Sequence, residues 1–148
     1  MKFKKIKSLF DLYEINEDGT ILRHVNGRVR KPFLNKRGYL QVVLNGDELS
    51  NHPNAMKHRC RNKFRTRVHC KIHRLVAEAW LGDIPSDMVV DHIDNSQVNN
   101  HHTNFRYVTM SQNWHNVSVE TRKRLSEVSK KNVRIMHAKN EIRYGRAV

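Results

Sequence analysis

The segment from Met88 to Asn116 constrains the fold of this chain more than any other. It reads strand, loop, strand, helix. Met88-Val89-Val90 is a short apolar run that delivers Asp91-His92. Asp94 to Thr103 is dense in Asn and His and reads as a loop. Phe105-Arg106-Tyr107-Val108 is the returning strand. Thr109 or Ser111 can cap a helix that carries Asn113 in an early turn. A carboxylate, an imidazole and several carboxamides are thereby gathered onto one small unit.

The rest of the composition says what such a unit would meet. The 148 residues fit one compact domain with appendages, and a hydrophobic content of 38% predicts a small core. A net charge of +14 attracts polyanions and speeds encounter with them. No apolar run is long enough to span a bilayer. The basic start, Met1 to Lys7, has no apolar stretch after it and is not a signal peptide. Cys60 and Cys70 suit free thiols in a reducing compartment, which points to the cytoplasm.

Four segments are expected. Residues 1–46 read as a small antiparallel sheet with basic tips. Tyr13-Glu14-Ile15 and Thr20-Ile21-Leu22-Arg23 flank the turn-forming Asn16 to Gly19, and Asn26-Gly27 and Lys36-Arg37-Gly38 mark two more turns. Tyr39 to Leu44 is a strand. Residues 47–66 are polar and basic without a period, and read as a loop or insertion. Residues 67–117 open with the alternating strand Arg67 to Ile72 and a helix from about His73 to Leu81, stopped by Gly82. Leu75, Val76, Ala79 and Trp80 share its apolar face. Residues 118–148 form a basic helix capped by Ser118, with Leu125, Val128, Ile135 and Met136 on one stripe.

The central residues match the needs of phosphodiester hydrolysis. A water must lose a proton, and the charge on the phosphate and on the leaving 3′ oxygen must be met. A hard divalent cation meets that charge and takes oxygen ligands; Asp91 and Asn113 offer one carboxylate and one amide. His92 can accept the proton from water near neutral pH. Adjacent strand residues point to opposite faces, so Asp91 and His92 serve one site only if the backbone bends or bulges there. A carbonyl oxygen on the His92 Nδ1–H would fix its tautomer, and Asn104 is a reasonable source.

The pattern resembles the HNH endonuclease family, in its phage homing-endonuclease branch. The residues that carry the resemblance are Ile72-His73-Arg74-Leu75-Val76-Ala77, Val90-Asp91-His92-Ile93-Asp94-Asn95, Asn99-Asn100, Asn104-Phe105-Arg106-Tyr107-Val108-Thr109 and Gln112-Asn113. The resemblance implies an α+β chain with a ββα-metal core. It implies Asp91 and Asn113 as metal ligands, His92 as general base and Asn104 as the residue orienting it. Asp and Asn at the ligand positions favour Mg²⁺ or Mn²⁺, one per site. Tyr13 to Arg23 with Lys31 to Val42 looks like the strand module that often precedes such a core, and Glu120 to Glu127 is similar to a short helical DNA-binding repeat.

The expected substrate is double-stranded DNA, and the expected state a monomer or homodimer. Arg28, Arg30, Lys31, Lys36 and Arg37 lie on strand tips, where they could read base edges or only hold phosphates. Arg106 could hold phosphate, and Arg122, Lys123 and Lys130 would add affinity from the C-terminal helix. His73 reads as structural or phosphate-facing. His101 and His102 read as solvated loop residues, and His115 as a minor ligand candidate. The spacing of Cys60, His69, Cys70 and His73 lacks a CxxC pair and does not favour zinc. A DNA-binding regulator with a silent core and a non-specific degradative nuclease remain open alternatives.

Overall fold

The computed structural model describes residues 1–60, 63–117 and 119–144. Ten strands and three α-helices follow one another in it. The first four, β1 (Phe3–Lys5), β2 (Tyr13–Asn16), β3 (Leu22–His24) and β4 (Val29–Arg30), form an antiparallel sheet in sequence order. Its central turn is built by local hydrogen bonds. Asn16 Oδ1 accepts from Ile21 N at 2.9 Å, and Asp18 Oδ1 accepts from Thr20 N at 2.9 Å. Gly19 closes it at φ +70°, a conformation other residues rarely adopt.

The second sheet departs from the expected organisation. β5 (Phe33–Leu34), β6 (Leu40–Asn45), β7 (Ala55–Cys60) and β8 (Lys63–Lys71) are arranged in the order β5-β6-β8-β7. Residues 47–66, expected as a loop, thus supply a short 3-10 turn at Asp47–Leu49, the whole of β7 and the start of β8. The two strands pair from Ala55↔Val68 to Cys60↔Lys63. Their outer halves are exposed on both faces, so backbone bonding rather than an apolar stripe sustains the ladder. Strand β6 pairs with β8 from Gln41↔Lys71 to Asn45↔Arg67. The boundaries expected at 46 and 66 therefore fall inside one sheet.

Strand β8 runs straight into α1 (Ile72–Leu81), which joins the two sheets. Ile72, Leu75, Val76 and Ala77 are buried, with Ala79 and Trp80 packed at the edge of the same core. They meet Ile6, Leu9, Tyr13, Ile15 and Leu22 from the first sheet and Val42, Leu44, Val68 and Cys70 from the second. Each such aliphatic side chain contributes about 1.5–3 kcal/mol on burial. The approach is close at Gly19, where a Cβ would come within 2.5 Å of Ile72 Cγ2 and 2.9 Å of Val76 Cγ2. Helix α1 stops at Gly82, whose φ of +100° ends the helical path.

The last elements are β9 (Met88–His92), β10 (Phe105–Thr109), α2 (Met110–Asn116) and α3 (Val119–Tyr144). Strands β9 and β10 form a separate two-stranded antiparallel ribbon. Phe105 from β10 belongs to the main core. The chain divides into two compact units, Met1–Met110 and Ser111–Val148. In the second, Val128 and Ile135 of α3 are exposed. Ser118, expected as the cap of this helix, lies outside the described residues.

Candidate active site

The ribbon of β9 and β10 sets the geometry of the Asp91-His92 pair. Its register is unbroken from Thr109↔Met88 to Phe105↔His92, with Arg106 opposite Asp91. The ladder itself carries no bulge, and the chain bends instead in the loop that opens right after His92. Cross-strand partners share a face and neighbours along a strand do not, so the two side chains leave on opposite sides. Both are buried, each 7% exposed.

Asp91 meets its cross-strand partner as an ion pair. Arg106 Nε donates to Asp91 Oδ2 at 2.9 Å and its terminal nitrogen lies 2.8 Å from the same oxygen. A buried carboxylate needs such a cation. The Arg106 side chain is 45% exposed, so the guanidinium reaches in from solvent.

His92 lies among rings. Its centroid is 5.0 Å from that of Phe105 and 5.2 Å from that of His73, both edge to face, and 6.3 Å from that of Tyr39. Burial pushes its imidazole below the ordinary value, so the ring is neutral at pH 7. His73, also buried, is pushed down to about 3 by burial and then by the nearby charges of His92, Lys71 and Arg74. His73 is buried and packs against the rings of Tyr39, His92 and Phe105. Its Nδ1 is buried without a hydrogen-bond partner among the described residues.

The amide that faces His92 is that of Asn100, not Asn104. Asn100 is 3% exposed, and its Nδ2 donates to Val98 O at 3.2 Å, which turns Oδ1 toward His92 Nε2 at a long 3.5 Å. An amide oxygen at that position favours the tautomer with the proton on Nε2 and Nδ1 as the basic nitrogen. Asn104, expected to orient the imidazole, instead closes the loop. Its Oδ1 accepts from Asp94 N at 3.1 Å, while its Nδ2 donates to Asp94 Oδ1 at 2.9 Å and Asn99 O at 3.0 Å. The reason is register: Asn104 precedes the residue paired with His92, and its carbonyl accepts from Ile93 N at 2.9 Å. Amide hydrogen bonds from Asn104 and Asn99 hold Asp94 below the usual carboxylate range. Asn95, at φ +59°, completes the turn.

The other expected residues are scattered. Asn113 is half-buried on α2, in the second unit. His115 Nδ1 is 2.7 Å from Ser111 O on the same helix. Arg28, Lys31, Lys36 and Arg37 are exposed, whereas Arg30 is half-buried with Nε out of solvent. Lys123 and Lys130 are exposed on α3, and Arg122 is half-buried. Burial raises the Cys70 thiol to about 12. The Asn99-Asn100 pair was visible in the sequence, but only the folded loop distinguishes its two amides.

Residues 70–115 match the family model described as HNH endonuclease. The segment that carries Asp91 and His92 is thus similar to HNH endonucleases. A putative HNH homing endonuclease, YosQ, from the SPbeta prophage of Bacillus subtilis (strain 168) is 33% identical over 99 residues, 67% of this chain and 48% of the relative. An uncharacterized HNH endonuclease of Acanthamoeba polyphaga mimivirus is 38% identical over 77 residues, 51% of this chain and 40% of the relative. The chain therefore spans less than half the length of either. The solved structure of the HNH homing endonuclease I-HmuI, described by its DNA binding and cleavage, has the same fold with a TM-score of 0.59 at 24% identity. That likeness covers 88% of this chain and 68% of I-HmuI. HNH nucleases generally use a divalent metal ion. The carboxylate of Asp91 is an oxygen donor of the kind a hard cation takes, and the Arg106 guanidinium on it marks it as a place that attracts positive charge. No described helix is long and apolar enough to cross a membrane.

Proposed function

We propose that this chain is a metal-dependent DNA endonuclease of the homing type, phage or mobile-element in origin, acting on double-stranded DNA. The observation that carries the reading is the buried, adjacent Asp91 and His92 at the end of the ribbon, within a segment that matches the HNH family. His92 Nδ1 takes the proton from the attacking water, and its neutral state at pH 7 suits that step. Asp91 and Asn113 would hold one Mg²⁺ or Mn²⁺, which would offset charge on the phosphate and the departing 3′ oxygen. In-line displacement puts nucleophile and leaving group on opposite sides of phosphorus. Strand β9 ends at His92, where Asn95 N donates to His92 O as the chain turns into the loop, and that bend is what would let the base and the carboxylate serve one phosphate.

Exposed Arg28, Lys31, Lys36 and Arg37 on the strand tips, with Lys123 and Lys130 on α3, hold the duplex by its phosphates. Arg30 and Arg122, both half-buried, would each add to the DNA contact of its own unit. One site cuts one strand, so a monomer nicks and a homodimer could cut both strands. Nicking of supercoiled plasmid in Mg²⁺ but not in EDTA tests the reading. Binding of duplex DNA without metal-dependent nicking would instead identify a regulator with a silent core. Random fragments in place of preferred sites would identify a degradative nuclease.

A further inference from the structure

The loop between β9 and β10 meets the first sheet at a cluster that the nuclease chemistry does not use. Glu17, in the turn after β2, lies beside His101 and His102, and one ligand atom from each of the three falls within 4.8 Å of the others. The backbone fixes this meeting: His102 N donates to Glu17 O at 2.8 Å. All three residues are half-buried.

The two imidazoles are held by packing. Their rings stack at 4.8 Å with 29° between planes, and Trp80 stacks on His102 at 4.8 Å with 17°. His101 Nδ1 accepts from Thr103 N at 3.4 Å and lies 2.8 Å from Thr103 Oγ1, so a metal ion at Nε2 would displace the proton that the neutral ring carries there. Burial, then the nearby His101, pushes His102 below the ordinary imidazole value, which keeps its lone pair available at pH 7. Lys4 Nζ lies 4.7 Å from the Trp80 ring centre and is the nearby positive charge opposing a cation here.

We propose that Glu17, His101 and His102 form a second metal site, for Zn²⁺ or a similar borderline transition-metal ion. Two imidazoles and a carboxylate match the donor preference of Zn²⁺ and not that of Mg²⁺. A tetrahedral zinc with donors at about 2.1 Å holds them roughly 3.4 Å apart. Closing from 4.8 Å needs a side-chain rotation of about an ångström, open to half-buried groups on a turn and a loop. The fourth position is left to water. The ion would tie the turn that Gly19 packs on α1 to the loop that carries Asn100 beside His92. Its role is structural, and it uses none of Asp91, His92, Asn104 or Asn113.

The test is zinc titration of the full chain by calorimetry in excess Mg²⁺, with thermal melting as a second readout. The wild type and Asp91→Ala should each bind one Zn²⁺ and gain thermal stability from it. His102→Ala should lose tenfold or more in affinity. Glu17→Gln and His101→Gln, which keep side-chain size, should do the same while still folding. Zinc affinity equal to wild type in all three variants overturns the proposal, as does a wild-type chain that binds no zinc at micromolar concentration.

Discussion

Asp91 and Arg106 are cross-strand partners whose buried carboxylate and half-exposed guanidinium meet at 2.8–2.9 Å. The arginine therefore stands where the cation of the proposed reaction would have to act. Arg106→Ala should lower stability in EDTA by about 1–2 kcal/mol, below the full cost of breaking a buried pair because the arginine is partly solvated. Mg²⁺ should restore more of the melting temperature in this variant than in the wild type. Melting curves with EDTA and with Mg²⁺ check it; an equal magnesium response in both chains would separate Arg106 from the metal.

His92→Ala should reduce nicking by roughly 10²–10⁴-fold with DNA binding retained. The reactive form is the neutral ring, whose value burial lowers. The acid limb of the rate profile should therefore lie below pH 6.5, with rates falling as pH drops through it. Gel-shift and plasmid-nicking series across pH separate the two quantities.

Asn100 and Asn104 should fail differently. Asn100→Ala removes the amide facing His92 and should lower kcat about tenfold with little change in KM. Asn104→Ala frees the Asp94 loop and should cost about 1–2 kcal/mol of stability before it affects the rate. Steady-state nicking and urea unfolding on both variants decide which amide serves the imidazole.

His73 should make the fold acid-sensitive. Its value is near 3 in the folded chain and near 6.5 when unfolded, so the unfolded chain takes up the proton first. The stability from the neutral ring is complete above about pH 6.5 and is lost as pH falls toward 3. Urea midpoints between pH 6.5 and 4 should therefore drop less in His73→Gln than in the wild type, by roughly 3 kcal/mol.

Gly19→Ala should destabilise by about 2–4 kcal/mol. The left-handed φ contributes part of that, and the collision with Ile72 and Val76 the rest. Equilibrium unfolding measures it, and a change under 1 kcal/mol, well short of the ~1–2 expected from the φ alone, would mean the turn yields freely.

The ribbon and α1 were legible because their residues follow a period. Met88 to Val90 runs apolar into the site, and Leu75, Val76, Ala79 and Trp80 recur at helical spacing. Strand β7 and the first half of β8 were not, because Met56, Lys57, Arg59 and Arg65 face solvent and leave no alternation to read, whereas Arg67 to Lys71 alternates and was legible. The pairing of β6 with β8 joins residues more than twenty positions apart, which local signals do not encode. The choice between Asn100 and Asn104 turned on one residue of register. The meeting of Glu17 with His101 and His102 depends on two turns from distant parts of the chain.

The five-residue ladder between β6 and β8 has a consequence for anyone wishing to transplant this nuclease motif. A fragment starting near Arg67 would keep every residue of the family match yet leave β8 a bare edge, open to pairing with other chains. The motif is not an excisable cassette. A working graft would have to begin upstream of Leu40, so the strands that look like a DNA-holding accessory travel with the chemistry as its scaffold.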